Sequence, residues 1–324
     1  MSDALLFAFE FDGEGGATQI NDIESAGEKI ADDQLAWIHL DAQCDETKNW
    51  LEKELSYLDN YVVEALLAEE TRPRVSEIDE GAIIILRGAN LNKDAKPEDM
   101  VSIRLWVDSH RIISVQKRQL KAVADIKNKL KSGTGPRNAG QFISTLTSKL
   151  FERLEPIISD LDDKIDDAEE QLLDEPDLSL REDIIDIRRK AIILRRYMAP
   201  QKDAIGQLRI SEQLWLLASD KRSLHESYDR VLRYVEDLDA IRERAQIVKD
   251  ELANILSDRL NKNMYVLSVV AAVFLPLGFL TGLFGINIGG MPGVDDENGF
   301  IIFSGILLIV VVLQIIIFKK LKWF

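Results

Sequence analysis

Apolar positions along the 324 residues keep three successive rhythms. Ala4 to Phe11, Leu35 to Leu40, Gly81 to Leu86, Met100 to Val107 and Arg111 to Val115 are short β-branched or aromatic runs separated by turn residues, a pattern that predicts strands. Asp108-Ser109-His110 predicts a tight turn between the last two. From Asp45 to Leu67 the rhythm is different: Trp50, Leu51, Leu55, Leu58, Val62 and Leu66 return every three or four residues, which predicts a helix. The chain is therefore expected to open with an α/β domain, followed by a helix and the breaker run Ser132-Gly133-Thr134-Gly135-Pro136.

From Arg137 to Arg209 the pattern is helical and highly charged, with a break at Asp174-Glu175-Pro176-Asp177. Two helices in a hairpin are expected there. From Ser211 no proline occurs until Pro276, and Leu224, Tyr228, Val231, Val235, Leu238, Ala245, Leu252 and Leu256 form a heptad-like seam interrupted at Arg242 and Lys249. Such a seam predicts a stalk helix of roughly 75 Å that runs without a break into the next segment.

The third rhythm is continuous. Met264 to Phe284 is 21 residues without a charge, and Phe300 to Phe318 is 19 more. Each is long enough as a helix to cross a hydrocarbon core of about 30 Å. Arg259 and Lys262 precede the first run, Lys319, Lys320 and Lys322 follow the second, and the loop between them has no base. By the positive-inside rule both termini are cytoplasmic, with Trp323 as an interfacial anchor. Two helices cannot enclose water, so any pore is expected to be oligomeric. The first run is the better lining: it holds Ser268, Pro276, Gly278, Thr281 and Gly282, and Asn261, Met264, Leu267, Ala271, Leu275, Gly278, Gly282 and Gly285 fall on one face. A small-residue helix-packing face has the same composition.

Charge sharpens this division. From Arg259 onward five bases meet three acids, which leaves 53 acids against 35 bases and a net −18 in the residues before it. No basic stripe marks a nucleic-acid partner, and a field of that sign attracts cations. Asp160 to Asp177 alone holds ten acids and one base, Lys164, as a solvated helix face or a cation-attracting rim. Cys44 is the single cysteine, and no phosphate loop, G-x-S-x-G or H-E-x-x-H motif is present, so no enzyme and no bound cofactor is expected. The N-terminal MSDALLFAFEFDGEG lacks the basic region of a secretory signal. His39 and His110 lie in the strand region. His225, with Glu226 and Asp229 at helical spacing, is a candidate regulatory metal ligand.

The first apolar run ends in Phe284-Gly285-Ile286-Asn287, followed by Ile288-Gly289-Gly290-Met291-Pro292-Gly293. Here the chain resembles the CorA superfamily of divalent-cation transporters, whose hallmark is Gly-Met-Asn at the outer end of the first of two C-terminal spans. Its zinc-transporting ZntB-type branch commonly has Gly-Ile-Asn. NKNMYVLSVVAAVFLPLGFLTGLFGIN, LRGANLN, PEDMVSIRLWVDSHRIISV and the closing KKLKWF carry the resemblance over essentially the whole chain. It implies a funnel-shaped homopentamer in the bacterial inner membrane that conducts zinc, or cadmium, nickel, cobalt or magnesium, with protons as a coupled ion. Gly285, Ile286 and Asn287 would form the selectivity motif, and the pore face would run inward to Met264 and Asn261. Asp250 falls where relatives place an ion-sensing carboxylate. Gly278 stands where magnesium-type relatives carry threonine, and Asp295, Asp296 and Glu297 replace their Met-Pro-Glu-Leu loop; these three acids are expected to draw cations to the mouth. The resulting division is an α/β cytoplasmic domain (1–130), an acidic hairpin (137–210), a stalk (211–262), a pore-lining span (263–287), a periplasmic loop (288–299), a second span (300–318) and a basic tail (319–324). A magnesium or cobalt channel of the same fold, or a membrane-tethered coiled-coil sensor without a pore, are the other readings.

Overall fold

The β-branched and aromatic runs of the first 120 residues become strands because they fit a pleated, buried surface. The computed structural model describes residues 4–30, 34–69, 71–174, 177, 179–285 and 297–320. β1 (Leu5–Phe11) and β2 (Ala17–Ile20) form a hairpin, turned where Asp12 Oδ1 accepts the backbone N–H groups of Glu14, Gly15 and Gly16. α1 (Ile23–Ile30), β3 (Ala36–Asp41), α2 (Asp45–Glu54) and α3 (Asn60–Leu67) follow. β4 (Arg74–Ile78), β5 (Gly81–Gly88), β6 (Val101–Val107) and β7 (Arg111–Gln116) complete a seven-stranded sheet of order β2-β1-β3-β7-β6-β5-β4. Only β3 and β7 pair parallel.

Five of these strands lie where the hydrophobic runs predict them. β2 and β4 give no such signal because both are sheet edges, partly exposed and short of apolar residues. The helix expected over 45–67 is two helices, since Asp59 caps α3 by accepting the Tyr61 N–H at 2.8 Å. Both helices still bury the periodic residues: Leu51, Leu55, Val62 and Leu66 pack with Ile83, Ile85 and Trp106 of the sheet. Gly81 makes room for that tryptophan, for a Cβ there would meet Trp106 Cζ2 at 2.4 Å. The tight turn at 108–110 is held by Asp108, which accepts from the His110 and Arg111 N–H groups, Arg111 Nε and Trp106 Nε1.

The helical remainder is α4 (Lys121–Lys131), α5 (Ala139–Glu152), α6 (Glu155–Asp174), α7 (Ser179–Leu208), α8 (Ala218–Phe284) and α9 (Gly299–Lys320). α6 and α7 are the paired helices of the acidic segment, and α5 is separated from α6 at Arg153-Leu154, a break the charge pattern hides. The α7 residue Gln201 is fully buried and grips the sheet: its Oε1 accepts from Arg87 N at 2.6 Å and its Nε2 donates to Arg87 O at 2.9 Å. β4 starts at Arg74, opposite Ile85, so Gln201, opposite Arg87, occupies a place two residues beyond the start of that strand.

Helix α8 starts at Ala218 rather than Ser211, because Trp215 and Leu216 turn into the core and the Asp220 carboxylate accepts the Leu217 N–H at 3.1 Å. Its buried stripe differs from the expected seam. Leu224, Ser227, Val231, Tyr234, Leu238, Ile241, Ala245 and Val248 are buried, alternating by three and four without interruption. Arg242 and Lys249 therefore sit one residue beside the seam; Ile241 and Val248 are on it. Leu224, Val231, Leu238, Ala245 and Leu252 belong to both the expected seam and the buried stripe; Val235 is buried beside it, and Tyr228 and Leu256 are half-buried. The chain divides into two compact units, Met1–Lys249 and Asp250–Phe324.

His39 is buried in the first unit between β1 and β7. Its Nδ1 lies 2.7 Å from Ser114 Oγ, which also accepts from Trp37 Nε1 at 2.7 Å, and its ring is 4.7 Å from that of Phe7. Burial depresses its pKa to about 4, with Lys127 adding to the shift, against the Gln116 side chain and the Ser114 backbone, which favour the charged ring.

Two measurements check this account. Ile241→Ala is expected to cost about 2–5 kcal/mol as a core truncation, and Arg242→Ala, whose partner is Asp239 at the surface, less than about 1 kcal/mol; thermal unfolding of the purified protein separates them. Because His39 titrates lower when folded than unfolded, its contribution is complete above about pH 6.5 and is lost as pH falls towards 4. The loss amounts to about 3 kcal/mol at most. His39→Asn should flatten the fall in unfolding temperature between pH 7 and pH 5; an unchanged slope would assign that dependence to other groups.

Candidate functional site

Of the described residues expected to face a conduit, all but Gly285 lie on α8. Asn261, Met264, Leu267, Ala271, Leu275, Gly278 and Gly282 are exposed, Met264 by 67% and Leu267 and Leu275 by 70% each. Val269, Ala272, Val273, Leu277 and Leu280 are the partly buried residues of α8 from Asn261 onward. At about 100° per residue the two sets centre on opposite sides of α8. The second span accounts for this. Phe303 of α9 packs its ring 4.9 Å from that of Phe284, and Gln314 of α9 reaches the Ala272 carbonyl at 3.4 Å. Phe303, Leu307, Val310, Val311, Gln314 and Phe318 form the less exposed side of α9. The second span thus backs one side of the first and leaves bare the side that carries the small and polar residues.

Both helices are apolar enough to cross a membrane, with mean hydropathies of 2.3 and 3.1 over their most apolar windows. α8 contains Pro276 and remains helical through it. Thr281, a turn later, directs its hydroxyl to the Leu277 and Gly278 carbonyls at 3.0 and 3.2 Å, so this side chain is engaged with its own helix. Gly285 ends the described part of this segment as a turn, its N–H bonded to Thr281 O at 2.9 Å. Ile286, Asn287, Asp295 and Asp296 lie outside the described residues; Glu297 is exposed before α9.

The acidic segment behaves in two ways. Arg244 of α8 gathers three carboxylates of α6: its Nε and Nη2 donate to Glu169 at 2.8 and 2.7 Å, its Nη1 to Asp162 at 3.1 Å, and its Nη2 also to Asp166. That guanidinium holds Glu169 below the usual carboxylate range. Nearby, burial together with Asp162 and Glu236 raises Asp237. Asp167, Glu170, Asp174 and Asp177 instead line an open cleft at the far end of the hairpin. The run of acids alone gave no hint that one arginine 75 residues away neutralises part of it.

His225 is exposed, with Arg209 Nη1 at 2.8 Å from Nδ1 and Asp229 Oδ2 at 3.8 Å from Nε2. An arginine at one ring nitrogen is an unfavourable neighbour for a bound cation. Among the described residues no three His, Cys, Asp or Glu side chains converge as a metal site within one chain. Asp250 is exposed on α8. Gln314 was not singled out by sequence reasoning; the signal available was a single amide in a run of Ile, Leu and Val opposite a helix that contains proline.

Similarity to known proteins follows the same lines. The chain is 36% identical over 323 residues to the zinc transport protein ZntB of Yersinia pestis, an alignment covering 100% of this chain and 97% of that one. It is 35% identical over 321 residues to the divalent cation transporter CmaX of Pseudomonas aeruginosa, covering 98% and 96%. The structure of the full-length CmaX protein superposes with a TM-score of 0.87 at 34% identity, covering 100% of this chain and 99% of that one. The sequence profile of the CorA-like Mg2+ transporter proteins matches residues 32–320, from ahead of β3 to the last turn of α9. Its span from β3 through the acidic hairpin and both apolar helices makes this chain a member of the CorA-like Mg2+ transporter family.

Proposed function

We propose that this chain carries divalent metal cations, zinc foremost, into the cell across the bacterial inner membrane. The observation that carries the reading is the bare face of α8: a row of exposed small, polar and flexible residues opposite the side backed by α9. Five copies arranged around an axis cover that face and enclose a conduit that a single pair of helices cannot. The zinc assignment is supported by the full-length similarity to ZntB. Arg259 and Lys262 before the first span and Lys319, Lys320 and Lys322 after the second support a topology with both termini in the cytoplasm.

Asn287 and Gly285 form the outer ring. Neutral amide oxygens accept hydrogen bonds from the waters of a hydrated ion and do not demand its dehydration. This suits the residues available, since no histidine or cysteine follows His225, so inward of the ring zinc meets none of its preferred nitrogen or sulfur ligands. Leu275, Leu267 and Met264 form apolar belts between the ring and Asn261. Asp295, Asp296 and Glu297, five times over, concentrate cations at the entrance. An inward potential of 100 mV contributes about 4.6 kcal/mol to a doubly charged ion, enough to drive uptake. Tyr265 is the one titratable side chain between Lys262 and Asp295; a coupled proton therefore travels with the water in the conduit or through the acids at its ends.

Flux of zinc, cadmium, nickel, cobalt and magnesium into liposomes, with and without an imposed pH gradient, tests the reading. Zinc is expected to enter fastest, with modest discrimination, and absence of flux for every ion would remove it. Asn287→Ala should lower zinc flux about tenfold, the worth of one good hydrogen bond, and narrow the differences among the ions. Replacing Asp295, Asp296 and Glu297 together by their amides should raise the half-saturating zinc concentration at low salt. That effect should shrink near 0.15 M salt, where the screening length is about 8 Å.

A further inference from the structure

Proline at position 276 removes one backbone donor from the middle of the first span. In an α-helix the N–H of residue 276 would bond the carbonyl of residue 272, so Pro276 leaves the Ala272 carbonyl without its helical partner. In water a solvent molecule would fill the gap; inside a hydrocarbon layer the carbonyl needs a protein donor or wetted channel. The structure places Gln314 Nε2 3.4 Å from that carbonyl. Ala272 is partly buried and belongs to the side of α8 backed by α9, away from the bare face, so water in a conduit on that face is not its partner.

Gln314 is also costly where it stands. It is the one amide side chain of α9, between Leu313 and Ile315, and its Oε1 is buried with no hydrogen-bond partner. Methionine or leucine would fill the space without that unpaired acceptor. What the amide adds is its donor half, aimed at the one carbonyl that the proline has freed.

We infer that Gln314 is a positioning residue for transport: it latches the second span to the proline site of the first and sets the direction of the segment from Leu277 to Gly285 that carries the selectivity motif. This rests on the transport reading above. Phe284 against Phe303, 4.9 Å between ring centroids, is the second tether of the same segment. Between the two tethers the turn of α8 after Pro276 stays in register with α9, and the outer ring keeps one diameter. Without the latch the segment pivots at Pro276, a position where helices bend, and the ring loses its shape while the acids at the mouth are unaffected.

A double-substitution cycle tests the latch. Gln314→Met keeps the volume and removes the donor. Pro276→Ala restores the N–H of residue 276, so the Ala272 carbonyl regains its helical partner and no longer needs the glutamine. In liposomes Gln314→Met should reduce the maximal zinc flux about 3- to 15-fold, the range spanned by hydrogen bonds between membrane helices, with the half-saturating concentration unchanged. On the Pro276→Ala background the same substitution should change flux less than about twofold. Equal losses on both backgrounds would overturn the latch and reduce Gln314 to packing. If Pro276→Ala does not purify as an oligomer, Pro276→Ser restores the same N–H and completes the cycle. Unfolding temperatures of the four detergent-solubilised proteins read the contact independently of flux. Gln314→Met should lower the midpoint by about 2 °C with proline present and leave it unchanged without, whereas equal lowering in both would overturn the latch. A wild type without flux would remove the transport reading while these temperatures still decide whether the contact forms.

Discussion

Hydrocarbon offers a backbone carbonyl no hydrogen bond, and most of what is distinctive in the second unit follows from that. The two apolar helices satisfy their peptide groups internally except where Pro276 interrupts the ladder. There, a side chain from the neighbouring helix approaches the exposed carbonyl. The same constraint forbids two helices from surrounding water. On the proposed reading, the row from Asn261 to Gly282 on the uncovered side of α8, Met264, Leu267 and Leu275 included, is covered by other copies of the chain.

The first unit solves the opposite problem, keeping many like charges on a water-soluble body. Its acids are dispersed over helices α6, α7 and α8, and where three of them crowd together on α6, Arg244 crosses from α8 to meet them. The pairing ties two helices together and lowers the repulsion inside the hairpin. Acids beyond its reach remain turned to solvent around the cleft at the end of α6. Solvent-facing acids and the ion pairs that hold the hairpin therefore draw on the same stretch of sequence.

How much of this was legible beforehand depended on whether a residue's role is periodic. Central strands such as β5 and β6 are unbroken apolar runs, and the two spans announce themselves by length alone. Of the stalk seam, Leu224, Val231, Leu238, Ala245 and Leu252 were legible by spacing, whereas at the alternate positions the apolar Tyr228 and Val235 stand beside Ser227 and Tyr234, two hydroxyl-bearing residues that the core also buries. Gln201, Arg244 and Gln314 were invisible to such reading. Each acts across 40 to 115 residues of sequence, through one side chain whose partner is a backbone group or a distant acid. The reading of Gly285 to Asn287 rests on resemblance, since no periodicity distinguishes an asparagine in a conduit from one in a loop.

The grip of Gln201 on Arg87 has a consequence for how the chain behaves before and during assembly. A sheet whose last strand stops early leaves a pair of backbone groups on its neighbour open to any extended peptide, and such openings invite copies of a protein to join edge to edge. Here the amide of a helix residue fills that opening with one donor and one acceptor, as a strand would, but without extending the ladder for another strand to follow. At this point the sheet is thereby spared from joining a second copy in an open row.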